Sequence, residues 1–154
     1  MAFNLTSPVT GAAVTGLTSP TFTVASDTPP AATGRQYAIT NLGGTQTGST
    51  AHSISSPFTI TAWRPQTFKV LGQPTASGLL KGFPRNTFDV LTRKGVTVLA
   101  GQPVQVSTIR SSFAVPAGAD IVDIANLRSA WSLHVGAVTQ QLNGLMDTYL
   151  TGTL

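Results

Sequence analysis

The residues from Pro116 to Leu154 constrain this chain more than any other stretch. Ile121, Ile124, Arg128, Trp131, Val135, Val138, Leu142, Leu145 and Tyr149 recur at alternating steps of three and four. That spacing lays one stripe along a helical surface, interrupted only by Arg128. Leu127, Ala130, His134 and Ala137 widen it. Asp120 is expected to cap the first turn, and Asp123 adds negative charge where a helix N-terminus favours it. Gly136 predicts a break into a second, shorter helix. An apolar helical face of this kind must cover something.

What precedes it reads as strands and turns. Phe58 and Ile60 alternate with Thr59 and Thr61, Phe68 and Val70 with Thr67 and Lys69, Phe88 and Val90 with Thr87, Asp89 and Leu91, and Val104 and Val106 with Gln105 and Ser107. Alternate side chains point to opposite faces of a sheet, so one face is Phe, Val and Ile and the other is hydroxyl and cation. Short turns favour antiparallel neighbours, which leave one face wet. Ala12–Leu17, Pro20–Ser26 and Arg35–Asn41 are further candidate strands. Residues 1–11 form an arm, residues 12–115 the hairpin and sheet, and residues 116–154 the helices of a single domain. The fold class is α+β.

An apolar sheet face next to one helical cover poses a question of ownership. A helix of about 16 residues spans about 24 Å, enough to fold back over its own sheet or to reach a second chain's. Spacing leaves both open. Gln102–Val115 runs into P-A-G-A-D with little room for a loose return, which tilts the reading toward exchange between two chains.

Composition points the same way. Only 9% of the 154 residues are charged and Glu is absent, whereas an average globular domain has about 25% charged residues. Such a chain hides much of its surface in partners. Residues 1–115 hold eight cations and two acids, residues 116–154 one cation and three acids. The strand region is therefore the basic part of a chain with net charge +4 and pI near 10.1, and a basic sheet suggests a polyanion such as nucleic acid. Cysteine is absent, which removes disulfides and thiolate metal sites. The start M-A-F-N-L-T-S-P lacks a signal-peptide pattern, and no stretch nears the ~20 apolar residues of a membrane span.

In order and spacing the chain resembles the coat proteins of single-stranded RNA bacteriophages, the leviviruses. R-N-T-F-D-V-L-T-R-K-G, F-A-V-P-A-G-A-D, N-L-R-S-A-W-S-L-H-V-G-A-V-T-Q-Q and Y-L-T-G-T-L carry the resemblance. R-Q-Y-A-I-T-N-L-G-G-T-Q and P-F-T-I-T-A-W-R-P extend it over roughly residues 35–154. It implies an N-terminal hairpin, a five-stranded antiparallel sheet and two C-terminal helices. It also implies a homodimer whose sheets join edge to edge, with each chain's helices over the other's strands. Ile121, Ile124, Arg128, Trp131, Val135 and Val138 would line that dimer interface. Dimers would build a quasi-equivalent icosahedral shell around single-stranded genomic RNA, in a virion assembled in the host cytoplasm. In better-known members the coat also grips an RNA hairpin and represses replicase translation.

The polar face then becomes the RNA face. Lys69 and Arg93 are its main phosphate contacts, with Thr59, Thr61, Thr67 and Thr87 as hydroxyl donors and Arg85 and Arg35 as secondary cations. Tyr37 is a core residue or a base-stacking one. The face does not reproduce the family's base-reading pattern, which points to packaging rather than sequence reading. The loop Lys94, Gly95, Val96, Thr97, Val98, Leu99, Ala100, Gly101 and Gln102 would touch neighbouring dimers.

Catalysis finds little support. His52 and His134 are far apart, and no metal-ligand spacing or phosphate-binding Gly loop is present. No cofactor, metal or small-molecule substrate is expected, and no membrane. The competing readings are a β-rich extracellular adhesion module without RNA and an RNA-binding regulator that stops at the dimer.

Overall fold

The computed structural model describes residues 3–153. Met1 and Ala2 of the expected arm, and Leu154 of the last helical region, lie outside the described residues. Six strands and three helices follow one another: β1 (Val9–Thr10), β2 (Thr18–Asp27), β3 (Gly34–Thr45), β4 (Phe58–Trp63), β5 (Arg85–Val96), β6 (Gln105–Pro116), α1 (Ala119–Val122), α2 (Ile124–Gln140) and α3 (Leu142–Thr151). The strands form one six-stranded sheet in sequence order, β1 to β6, in place of the expected hairpin and five-stranded sheet. The fold is α+β with an antiparallel sheet, as the alternation and the helical stripe require. By contacts the chain divides into two compact units, Met1–Gln66 with Phe88–Phe113, and Thr67–Thr87 with Ala114–Leu154.

In the first unit, register decides which residues share a face. Gln36 pairs with Thr61 and Thr61 with Leu91; Ala38 pairs with Thr59 and Thr59 with Arg93. The opposite face carries Tyr37, Ile39, Phe58 and Ile60. Tyr37 and Ile39 are buried, and the Phe22 and Phe58 rings meet edge to face at 5.8 Å. The arm closes over this side. Phe3 meets the Tyr37 ring at 6.0 Å, and the Tyr37 hydroxyl donates to Asn4 Oδ1 at 3.0 Å. Tyr37 is thus a core residue. Register shifts mark two bulges, one in β2 between Thr18 and Thr21 and one in β3 at Thr40, opposite Thr23 and Val24. Gly44 sits opposite the first of them at φ 75°, where a Cβ would strike the Ser19 carbonyl; only glycine fits.

Several expected boundaries shift. Ala12–Leu17 is not a strand but one Val14–Leu17 bridge, and the short β1 lies in the arm instead. The expected strand around Phe68 and Val70 is absent: residues 64–84 hold no helix or strand. The Asn86 side chain explains why at Lys69. Its Oδ1 accepts from the Lys69 N–H at 2.8 Å and its Nδ2 donates to the Lys69 carbonyl at 2.9 Å, so both ladder groups of Lys69 are taken. Gly72, Pro74, Gly78, Gly82 and Pro84 break the rest. β5 runs on to Val96, so Lys94, Gly95 and Val96 are strand residues and the connecting loop begins at Thr97.

In the second unit there are three helices rather than two. Asp120 lies in the first turn of α1, whose N-cap is Gly118. Asp123 breaks the helical path with φ −139° and caps α2, accepting from the Asn126 N–H. The break expected at Gly136 does not occur there; α2 continues to Gln140 and the chain bends at Gln141. A single Gly costs a helix only about 1 kcal/mol relative to Ala, too little to end one that has good neighbours on both sides. Val115 and Ala117 are buried, whereas α2 has no buried residue in the single chain.

Candidate nucleic-acid interface

The polar face of the first unit is a network rather than an open row of hydroxyls. The Gln36 amide is its hub. Gln36 Nε2 donates to Asp27 Oδ2 at 2.6 Å and to the Thr28 carbonyl at 3.3 Å. Gln36 Oε1 accepts from Thr61 Oγ1 at 2.7 Å and from Arg93 Nη2 at 2.9 Å. Arg93 Nε donates to Thr59 Oγ1 at 3.2 Å. Three adjacent strands thereby lock one guanidinium. Thr61 is 0% exposed and Thr59 2%, so their hydroxyls serve this network and hold Arg93. The Gln36 hydrogen bond, followed by that of the Thr28 N–H, holds the Asp27 carboxyl below its ordinary range against the opposing effect of burial.

A second cluster joins β5 to β6. Arg110 Nη2 lies 2.7 Å from Asp89 Oδ2, and Arg110 Nε donates to Asp89 Oδ1 at 3.2 Å. Ser112 Oγ donates to the same carboxylate. The bond from Arg110, then that from Ser112, pushes the Asp89 carboxyl down. The Arg110 side chain is 61% exposed and the Asp89 side chain 14%, so the carboxylate presents a fixed guanidinium to solvent. Sequence parity had placed Asp89 on the face of Arg93 but singled out neither Arg110 nor Gln36. Alternation sets Gln36 opposite Tyr37, but its partners depend on how β3 pairs with β4.

The remaining expected residues fall elsewhere. Arg35 pairs with Ala62, on the face opposite Arg93, because one step along a strand reverses the side chain. Its Nη1 donates to the Phe3 carbonyl at 3.1 Å and to Asn4 Oδ1 at 3.3 Å, so it fastens the arm. Thr67, Lys69, Arg85 and Thr87 belong to the second unit and are all exposed. Arg85 and Thr87 lie on β5; Thr67 and Lys69 lie in the irregular segment before it.

Lys94 is not a loop residue facing solvent. Its Nζ donates to the Thr50 carbonyl at 2.6 Å and stands 4.6 Å from the Phe58 ring centroid. Burial lowers its pKa. It lines a cleft of about 620 Å³ together with Thr50, Ser53, Ser56 and Thr97. Beyond it, Val98 and Leu99 are exposed.

The helical stripe is also open in the single chain. Ile121, Ile124, Trp131, Val135 and Val138 are exposed, Trp131 by 42%. Trp131 stacks on His134 at 5.9 Å and 29°. Arg128, the charged break in the stripe, is exposed. Among the described residues no group of His, Cys, Asp or Glu is placed to hold a metal, and no helix is long and apolar enough to cross a membrane.

No family model matches the chain, nor does any curated protein. Solved structures do. The chain is 51% identical to the protein in a virus-like particle of bacteriophage ESE020, over 99% of this chain and 100% of that one, with a TM-score of 0.96. A virus-like particle of Beihai levi-like virus 32 shares the fold at 14% identity and a TM-score of 0.52, over 86% of this chain and 88% of that one. Shared sequence along essentially the whole length, on a sheet followed by helices, shows that this chain belongs to the levivirus-type coat proteins.

Proposed function

We propose that this coat protein dimerises by exchanging helices, and that its dimers assemble into a closed shell around single-stranded RNA. The exposed stripe of α2 carries the reading. A helix showing Ile124, Trp131, Val135 and Val138 to water in the single chain needs an apolar lid, and exposed patches of this kind mark association surfaces. The outer edge of β6, the last strand of the sheet, offers the unpaired backbone groups through which two sheets join. The ESE020 relative, found in a virus-like particle, supports the shell.

In this reading RNA lies against the cationic sheet face. Arg93 is held rigid by Gln36 and Thr59, Thr61 braces Gln36, and Arg110 is presented by Asp89. Separately, the second unit offers the exposed cations Lys69 and Arg85 and the hydroxyls of Thr67 and Thr87. Arg35 is left out because it faces the arm. Recognition of this type is governed by phosphate charge and packages RNA without reading its sequence. The loop from Thr97 to Gln102, with Val98 and Leu99 exposed, meets neighbouring dimers.

Purified protein viewed by electron microscopy, with absorbance across a size-exclusion profile, tests the proposal. Megadalton particles with nucleic-acid absorbance are expected. A small RNA-free species would return the adhesion-module reading, and a small species that shifts on adding RNA would return the regulator. Lys69→Ala with Arg85→Ala should lower packaged RNA and leave dimers intact. Affinity for single strands should fall with salt at a log–log slope of about −0.7 per phosphate neutralised, and the double substitution should flatten it.

A further inference from the structure

The segment from Thr67 to Pro84 has no place in the reading so far beyond its cations. It is an irregular connection of a length that is uncommon unless functional, yet it is tied down. Its base is clamped by Asn86 on the Lys69 backbone. Its tip is closed by Thr75, whose N–H and Oγ1 both donate to the Leu79 carbonyl at 2.8 and 2.9 Å. On this fixed strap Val70 is 78% exposed, Leu79 69% and Phe83 63%. Lys69 precedes Val70 and Lys81 lies between Leu79 and Phe83, and no acid occurs anywhere between Asp27 and Asp89.

The strap adjoins a surface of the opposite charge in its own unit. Ala117 N–H donates to the Pro84 carbonyl at 2.8 Å. A Cβ on Gly118, which has φ 89°, would lie 2.6 Å from Leu71 Cδ1, so the strap is seated where α1 begins. There Asp120 and Asp123 flank Val122, which is 86% exposed. A cationic apolar patch thus lies beside an acidic apolar patch.

We infer that the strap of one dimer meets the α1 turn of the next in a contact between dimers. A neighbouring dimer docks head to tail, so that Val70, Leu79 and Lys81 of one copy cover Asp120 and Val122 of the next. Head-to-tail contacts close into rings when the rotation allows, as a shell of dimers requires, and a cationic apolar patch facing an acidic apolar one supplies the two unlike surfaces. The aliphatic Val70 and Leu79 favour a protein over RNA at this contact, since bases stack on aromatic and guanidinium planes. This inference rests on the shell proposed above, and the experiment separates the two.

Val70→Ser with Leu79→Ser is made in the full chain, and dimers and particles are counted by sedimentation. Dimers should persist and particle yield should drop by about tenfold or more, the consequence of weakening a repeated contact. Lys81→Asp and Asp120→Lys should each lower particle yield, and their combination should restore it. If wild type forms no particles, the shell reading fails and takes this inference with it. If wild type forms particles and the Ser variant forms them at full yield, this inference alone falls. It also falls if the variants lose the dimer, or if particles persist with less RNA, which would make the strap an RNA contact. Recovery in the combined charge reversal, with unchanged circular dichroism throughout, upholds it.

Discussion

The side chains that matter most on the polar face act through one another. Arg93 and Thr59 were legible from alternation alone, because parity within a strand is fixed by the backbone. Gln36 was not, because its role depends on the register of β3 against β4, and through Thr59 on that of β5, which no local pattern states. Arg35 failed for the same reason: its strand was read correctly, but its face was not. Gln36→Ala should therefore cost more than a surface change. It strands Thr61 Oγ1 in a fully buried position and removes one Arg93 partner, a loss of about 1–3 kcal/mol for an unsatisfied buried group, measurable as a lower urea midpoint. The Asp89 cluster makes a pH prediction. The folded-state pKa of Asp89 is lowered by Arg110 and Ser112, so its contribution is fully present above the ordinary carboxylate value and is lost as pH falls through the folded one. The advantage of wild type over Asp89→Asn in thermal melts should be constant near neutrality and shrink below about pH 4. A difference that grows on acidification would contradict the assignment.

At the scale of elements, the helical stripe and the strands with β-branched or aromatic alternation were readable, and the irregular pieces were not. T-F-K-V had the pattern of a strand, but a side-chain amide from Asn86 captured the backbone that a neighbour strand needed. Gly136 had the look of a helix end, but propensity is a weak force beside continued hydrogen bonding through Gln140. The actual stop at Gln141 has no Gly or Pro to announce it. Gly136 also lies about 140° round the helix from Trp131, by the pitch of 3.6 residues per turn, and a Cβ there would meet nothing within 4 Å. Gly136→Ala should accordingly stabilise the protein by roughly 0.5–1 kcal/mol, seen as a higher melting temperature with particle yield unchanged. A lower melting temperature would mean that this side of α2 is closely covered in the assembly.

For the whole molecule the decisive quantity is what α2 gains from a second chain. Its stripe could be read from the sequence because the spacing was regular over some 30 residues, but spacing does not say whose strands lie beneath it. Trp131 gives the sharpest answer. In the single chain its contacts include a stack on His134 and 42% of it remains exposed; truncation of such a residue, left exposed, would cost about 0.5 kcal/mol or less. Buried against a partner's sheet, the same ring contributes what a core aromatic does, and Trp131→Ala should cost about 3–5 kcal/mol. At about 1.4 kcal/mol per tenfold, that raises the dimer dissociation constant by at least a hundredfold, readable by dilution in sedimentation or native mass spectrometry. Leu133→Ala is the internal control. Leu133 is two residues on, about 200° round the helix and 74% exposed, so its removal should leave dissociation within a factor of about three. Equal effects of the two substitutions would show that α2 meets its partner with no preferred face, and the exchange of helices would have to be abandoned.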